Sequence, residues 1–115
     1  MDEPDYLYLP KEWRLDPREH QILSRLYEAK NGIRRRAELF ILVYGNESEV
    51  SELAFNSYIS RLRTKLRPYG VVIETLRGHG FRLPPNSIAI IKQASTKALK
   101  STVLDAEAYS WHRKT

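Results

Sequence analysis

The sequence predicts an α+β fold, with three helices ahead of a β-hairpin, and three observations carry that expectation. Phe55, Ile59, Leu62 and Leu66 recur at i, i+4, i+7 and i+11, the stripe that one face of a helix lays on a core. Two β-rich runs, Val71–Leu76 and Phe81–Leu83, flank Gly78-His79-Gly80, whose permissive backbones suit a chain reversal. Upstream, Asp16-Pro17-Arg18-Glu19 has the order of a helix start. Asp16 can cap, Pro17 suits the first helical position, and Glu19 can reach back to close a capping box.

Taken in order, residues 1–15 hold two short β-prone pieces, Tyr6–Leu9 and Trp13–Leu15, with Pro10 and Lys11 between them, so a small two-stranded element is the most they form. The first helix is expected to run from Asp16 to about Lys30 with Ile22, Leu23, Leu26 and Tyr27 on one face. It should stop at Asn31-Gly32, which tolerate a left-handed cap. A second helix covers Arg36 to Tyr44. Leu39, Phe40, Leu42 and Val43 make it apolar around much of its surface, which implies burial between other elements. An acidic connector with Glu47, Glu49 and Glu52 leads into a third helix from about Ser51 to Arg67, ended by Pro68 and Gly70. The hairpin follows, and Pro84-Pro85 is read as the end of the compact domain over residues 16–84. Residues 85–115 form an extension. It is either a helix, packed back on the core or serving a dimer contact, or a partly ordered tail.

Composition narrows the partners. The chain of 115 residues suffices for one small domain, and its net charge of +5 with a pI near 9.6 favours anionic partners. The absence of cysteine rules out a disulfide framework, a thiolate zinc site and a cysteine nucleophile, and fits a reducing cytoplasm. No apolar run approaches the ~20 residues that span a bilayer. The acidic start MDEPD is unlike a signal peptide. The histidines His20, His79 and His112 are scattered without metal-ligand spacing, and there is no Walker loop or G-x-S-x-G. The expectation is therefore no enzyme, no metal and no cofactor. Lys92, Lys97 and Lys100 lie on a weakly amphipathic segment that makes a poor membrane anchor.

From Phe55 to Leu83, six basic residues face one acid: Arg61, Arg63, Lys65, Arg67, Arg77 and Arg82 against Glu74. Three helices and a hairpin in this order make a winged helix-turn-helix. In that plan the last helix enters the major groove and the hairpin is the wing. A basic helix face alone is an ordinary solvated surface, and two glycines alone are what a tight hairpin needs. Together, at this spacing, they point to double-stranded DNA. Arg61, Arg63, Thr64 and Lys65 lie on the polar faces of the third helix. Arg77 at the wing can enter a minor groove, His79 is a turn residue or phosphate neighbour, and Arg34, Arg35 and Arg36 set register on phosphates.

The string Phe55-Asn-Ser-Tyr-Ile-Ser-Arg-Leu-Arg-Thr-Lys-Leu66 resembles the recognition helix of OmpR/PhoB-type response-regulator output domains, whose pattern is close to V-D-V-x-I-x-R-L-R-x-K-L. Ile73-Glu-Thr-Leu-Arg-Gly-His-Gly-Phe-Arg-Leu83 resembles their wing, I-x-T-V-R-G-x-G-Y-R-F. The resemblance runs from about Trp13 to Leu83. It implies that Arg61 and Arg63 face the major groove, with Arg61 at base edges and Tyr58 and Ser60 on or beside that surface. It implies phosphate contacts from Arg36, Tyr44 and Thr75, with Arg77 in the minor groove. It also makes residues 45–50 the loop that can meet RNA polymerase. The alternative function is a protein-interaction module that binds RNA polymerase or another regulator.

Three departures from the family pattern stand out. About 15 residues precede the first helix, so neither a phosphorylatable receiver nor the family's N-terminal four-stranded sheet is expected in this sequence. That removes the sheet's usual place in a head-to-tail dimer, although a homodimer would still suit DNA with paired half-sites. Asn56, Tyr58 and Tyr44 stand where the family favours Asp, His and Trp, so its base preference need not carry over.

Overall fold

The computed structural model describes residues 7–45 and 50–114, with side chains up to residue 100. Its elements are α1 (Pro17–Tyr27), β1 (Ile33–Arg34), α2 (Arg36–Tyr44), α3 (Glu52–Leu66), β2 (Glu74–Leu76), β3 (Gly80–Arg82) and α4 (Pro85–Lys114), with short 3-10 turns at Lys11–Trp13, Lys30–Gly32 and Arg67–Tyr69. This is the α+β winged helix expected from the sequence. None of the helices among the described residues is long and apolar enough to cross a membrane.

Local chemistry sets the helix ends. The capping box of α1 is complete: Asp16 Oδ1 accepts from the Glu19 amide at 2.8 Å, and Glu19 Oε1 accepts from the Asp16 amide at 2.9 Å. α1 ends at Tyr27 with Glu28 as its C-cap, short of the expected Lys30; Ala29 is already extended, and Asn31 and Gly32, at φ 58° and 69°, then turn the chain toward β1. Ser51 caps α3 by accepting from the Ala54 amide at 3.1 Å. The inner stripe of α3, Phe55, Ile59, Leu62 and Leu66, is buried, each side chain contributing about 1.5–3 kcal/mol. It packs among Ile22, Leu23 and Leu26 of α1 and Leu39 of α2 in one core.

The sheet contains one strand that the sequence did not announce. β3 is central, antiparallel to both neighbours, with Ile33 opposite Arg82 and Arg34 opposite Phe81 on one side, and Thr75 opposite Phe81 on the other. β2 is shorter than the run Val71–Leu76, because the Val72 amide leaves the ladder and donates to Ser87 Oγ at 2.8 Å.

Three further expectations need correction. The N-terminal β element does not form among described residues 7–15, and Tyr6 lies outside them. Trp13 is buried and stacks on Tyr69 at 5.0 Å, and Arg14 takes a left-handed φ of 57°, so Lys11–Trp13 coils into a 3-10 turn instead. The second helix is not buried all round. Leu39 and Val43 face the core while Ile41 and Leu42 remain exposed. Nor does Pro84-Pro85 end the compact part. Pro85 opens α4, and Ser87 and Ile91 from its first turns are fully buried with the domain core.

Candidate nucleic-acid interface

Burying one stripe of α3 leaves the other side to solvent. Asn56, Ser57, Ser60, Arg61 and Thr64 are exposed on it, and Thr64 Oγ1 donates back to the Ser60 carbonyl at 3.1 Å. The wing stands beside this face because Arg63 joins the two. Its Nε donates to the Ile73 carbonyl at 3.0 Å and its Nη2 to Thr75 Oγ1 at 2.7 Å. Both acceptors are neutral, so they orient the guanidinium without cancelling its charge. Burial lowers the Arg63 pKa from its ordinary value.

Between α3 and the wing lies an open groove of about 340 Å³. Arg36, Asn56, Ser60, Arg63, Thr64, Arg67 and Thr75 line it, over a floor of Ile59 and Phe81. Arg36 enters from the start of α2. Its Nη2 donates to Glu52 Oε1 at 2.9 Å and also to Asn56 Oδ1, and its guanidinium lies 5.0 Å from the centre of the Phe55 ring. Three arginines thus converge on one concave surface. Arg61 lies exposed on α3, its guanidinium 4.5 Å over the Tyr58 ring and its Nε 3.5 Å from Glu19 Oε2. At the tip of the wing Arg77 and His79 are exposed, and the His79 amide closes the turn on the Leu76 carbonyl at 2.8 Å. Arg35 is exposed ahead of α2.

Some of the residues expected at the site are turned elsewhere. Arg34 sits largely inside, donating to the Arg25 carbonyl at 2.8 Å and pairing with Glu38 at 3.0 Å and Glu28 at 3.4 Å. Lys65 points at α1, where its Nζ lies 2.6 Å from Glu19 Oε1 and 2.9 Å from the Arg14 carbonyl. The Tyr44 ring packs against Phe40, Phe55 and Tyr58, with Arg18 at 4.7 Å over its face. Its hydroxyl is buried without a hydrogen-bond partner among the described residues. Burial, then the neighbouring Tyr58, pushes the Tyr44 phenol up. Of the connector 45–50, residues 46–49 lie outside the described residues.

Asn56 and Arg67 are groove residues absent from the expected set. The signal was available for Arg67, which follows Ser60 by seven residues and Arg63 by four, on the same outward stripe. Asn56 joins through Arg36, a partner 20 residues away that no local pattern announces.

A basic helix face continued by a hairpin defines a winged helix domain built around one cationic surface. The chain belongs to the family described as transcriptional regulatory protein, C terminal, whose model matches residues 10–83, and this bears out the OmpR/PhoB-type resemblance. It is 39% identical over 72 residues to the response regulator ArlR of Staphylococcus aureus, in strains Mu50, MW2 and USA300 among others. That alignment takes in 61% of this chain and 33% of the relative, so the chain spans about one third of the length of the curated relatives it matches.

Proposed function

We propose that this chain is a DNA-binding module of a transcription regulator, with α3 in the major groove of a duplex and the β2–β3 wing at the adjacent minor groove. One observation carries the reading. Arg36, Arg63 and Arg67 converge with Thr75 and Ser60 on a groove that joins the outer face of α3 to the wing. Arginine suits this surface because its fork donates two parallel hydrogen bonds to phosphate oxygens or to a guanine edge. Arg63, held on neutral oxygens, Arg36 and exposed Arg35 serve the backbone. Arg61 swings from the Tyr58 ring to a base edge, and Arg77 extends from the turn. Arg34 and Lys65 support the scaffold through their acids, and the buried Tyr44 hydroxyl is not the phosphate donor.

The test is a selection of bound duplexes from a random library, repeated with two variants. Arg61→Ala is expected to lose about 1–3 kcal/mol on the selected site and much less on random duplex, because a base contact is sequence-specific. Equal losses on both would remove Arg61 from base readout. Arg77→Ala is expected to weaken binding most where A·T-rich sequence flanks the site, since a narrow minor groove concentrates negative potential. Loss independent of the flanks would remove the wing from the minor groove. The spacing of any repeats selected reports whether two copies bind together.

A further inference from the structure

The outward face of α3 carries one side chain that can bond neither a phosphate nor a polar base edge. Leu53, the second residue of the helix, is 78% exposed, the most of any large hydrophobic among the described residues. A single exposed leucine is ordinary on a protein surface, and Ile33, Ile41 and Leu99 are lesser cases here. Its place on the helix sets Leu53 apart. The buried stripe runs Phe55, Ile59, Leu62, Leu66. Leu53, Ser57, Ser60 and Thr64 repeat that spacing two residues earlier, about 200° round a helix of 3.6 residues per turn, and all four are exposed. Leu53 thus heads the row that points away from the core, and the other members of the row carry hydroxyls.

Recognition helices meet base edges with their N-terminal residues. With α3 docked as proposed above, Leu53 enters the major groove at the head of that row and loses its water there. Its side chain has no donor or acceptor to offer in exchange. Set against the N7, O6 or amino groups of adenine, guanine or cytosine, it would strip water from polar atoms and leave them unpaired, which costs free energy. Of the four bases, thymine alone presents an apolar group on its major-groove edge, the C5-methyl. Covering that methyl takes two apolar groups out of water together, which is favourable.

We infer that Leu53 is a specificity-determining residue that reads a thymine by contact with its C5-methyl. This rests on the DNA-binding reading above and adds an apolar contact to a surface otherwise described by its cations. The contact carries no charge, so it contributes to the choice of sequence and not to the hold on random duplex.

The test is selection from a random duplex library with the whole chain as wild type and Leu53→Ala, followed by affinity measurements on defined duplexes. Wild type should specify thymine at one position that becomes indifferent in Leu53→Ala, while preferences elsewhere in the site stay. Replacing that thymine by uracil removes the methyl and nothing else. It should weaken wild type about fourfold, the worth of one buried methyl, and leave Leu53→Ala unaffected. At the same position 5-methylcytosine should bind wild type more tightly than cytosine by a similar factor, again with no difference in Leu53→Ala. Each ratio is read within one protein, so a change in its folding does not move it. A motif without such a thymine, a uracil penalty that persists in Leu53→Ala, or an equal loss by Leu53→Ala on every sequence overturns the inference and leaves DNA binding standing. A wild type that retains no duplex at all overturns both.

Discussion

Gly80→Ala is expected to destabilise the domain by roughly 3 kcal/mol or more, which would lower its melting temperature by more than ~10 °C. Gly80 opens β3 at a φ of +129°, a region that side-chain-bearing residues rarely enter. It also lies where β1 and the start of α2 cross the strand. A Cβ there would sit 2.1 Å from the Arg34 carbonyl oxygen, 2.7 Å from Arg35 Cα and 2.9 Å from the Arg36 nitrogen. All three are backbone atoms, so no rotamer change relieves the clash. Either β1 separates from β3 or the first turn of α2 shifts, and both carry Arg36 away from the groove. Gly78 is the internal control. It has a φ of +77° but open space around it, so Gly78→Ala should cost only about 1 kcal/mol. Thermal melts of the two variants check this. Equal losses would show that Gly80 serves the turn conformation alone and that the close crossing of β1 and β3 does not constrain the domain.

Glu19→Ala should cost about 2–4 kcal/mol by the same measurement. Glu19 is completely buried, and it serves two purposes at once. Its Oε1 accepts from the Asp16 amide and lies 2.6 Å from Lys65 Nζ, while Oε2 is 3.5 Å from Arg61 Nε. Alanine removes half of the capping box, worth about 0.5–2 kcal/mol, together with the ion pair that ties α3 to α1. Breaking a buried pair commonly costs about 3–5 kcal/mol. The lower figure is expected here because Lys65 and Arg61 are partly exposed and can carry their charges back to water. Glu19→Gln separates the two contributions, since its amide oxygen can still accept from Asp16 while the charge is gone. It should fall between wild type and Glu19→Ala. A Glu19→Gln as damaging as the alanine would assign the whole effect to charge pairing, and a harmless Glu19→Ala would contradict the role of Glu19 altogether.

What could be read from the sequence was what local chemistry controls. The Asp16–Glu19 box, the left-handed turn at Asn31-Gly32, the Phe55–Leu66 stripe and the glycines of the wing each rest on residues within a few positions of one another. The parts that were not legible depend on distant partners. β1 is two residues long and exists because β3 comes back to pair with it. Ser87 is buried because the Val72 amide needs an acceptor that no ladder supplies, and this draws the first turns of α4 into the domain. The N-terminal pieces looked β-prone, yet burying Trp13 against Tyr69 outweighed that propensity.

The site divides in the same way. Ser60, Arg61, Thr64 and Arg77 were readable because helix periodicity and a hairpin tip fix which way they face. Arg34 and Lys65 looked equivalent to the other cations in sequence, but Glu28, Glu38 and Glu19 hold them inside the fold. Tyr44 was expected at a phosphate, and its hydroxyl is covered by the aromatic cluster it joins. Asn56 joins the groove through its bond from Arg36, which the fold brings to it from another helix.

The most direct test of the cationic groove as a DNA surface is the salt dependence of binding to a duplex of random sequence, followed by fluorescence anisotropy. If Arg35, Arg36, Arg61, Arg63, Arg67 and Arg77 each neutralise a phosphate on such DNA, where no base contact diverts Arg61, the logarithm of the binding constant should fall linearly with the logarithm of salt concentration. The slope should be about −5.4, about −0.9 for each of the six. A slope between about −4 and −6 at measurable affinity in moderate salt is the expected result. No binding at low salt would contradict it, and would move this basic face to a protein partner.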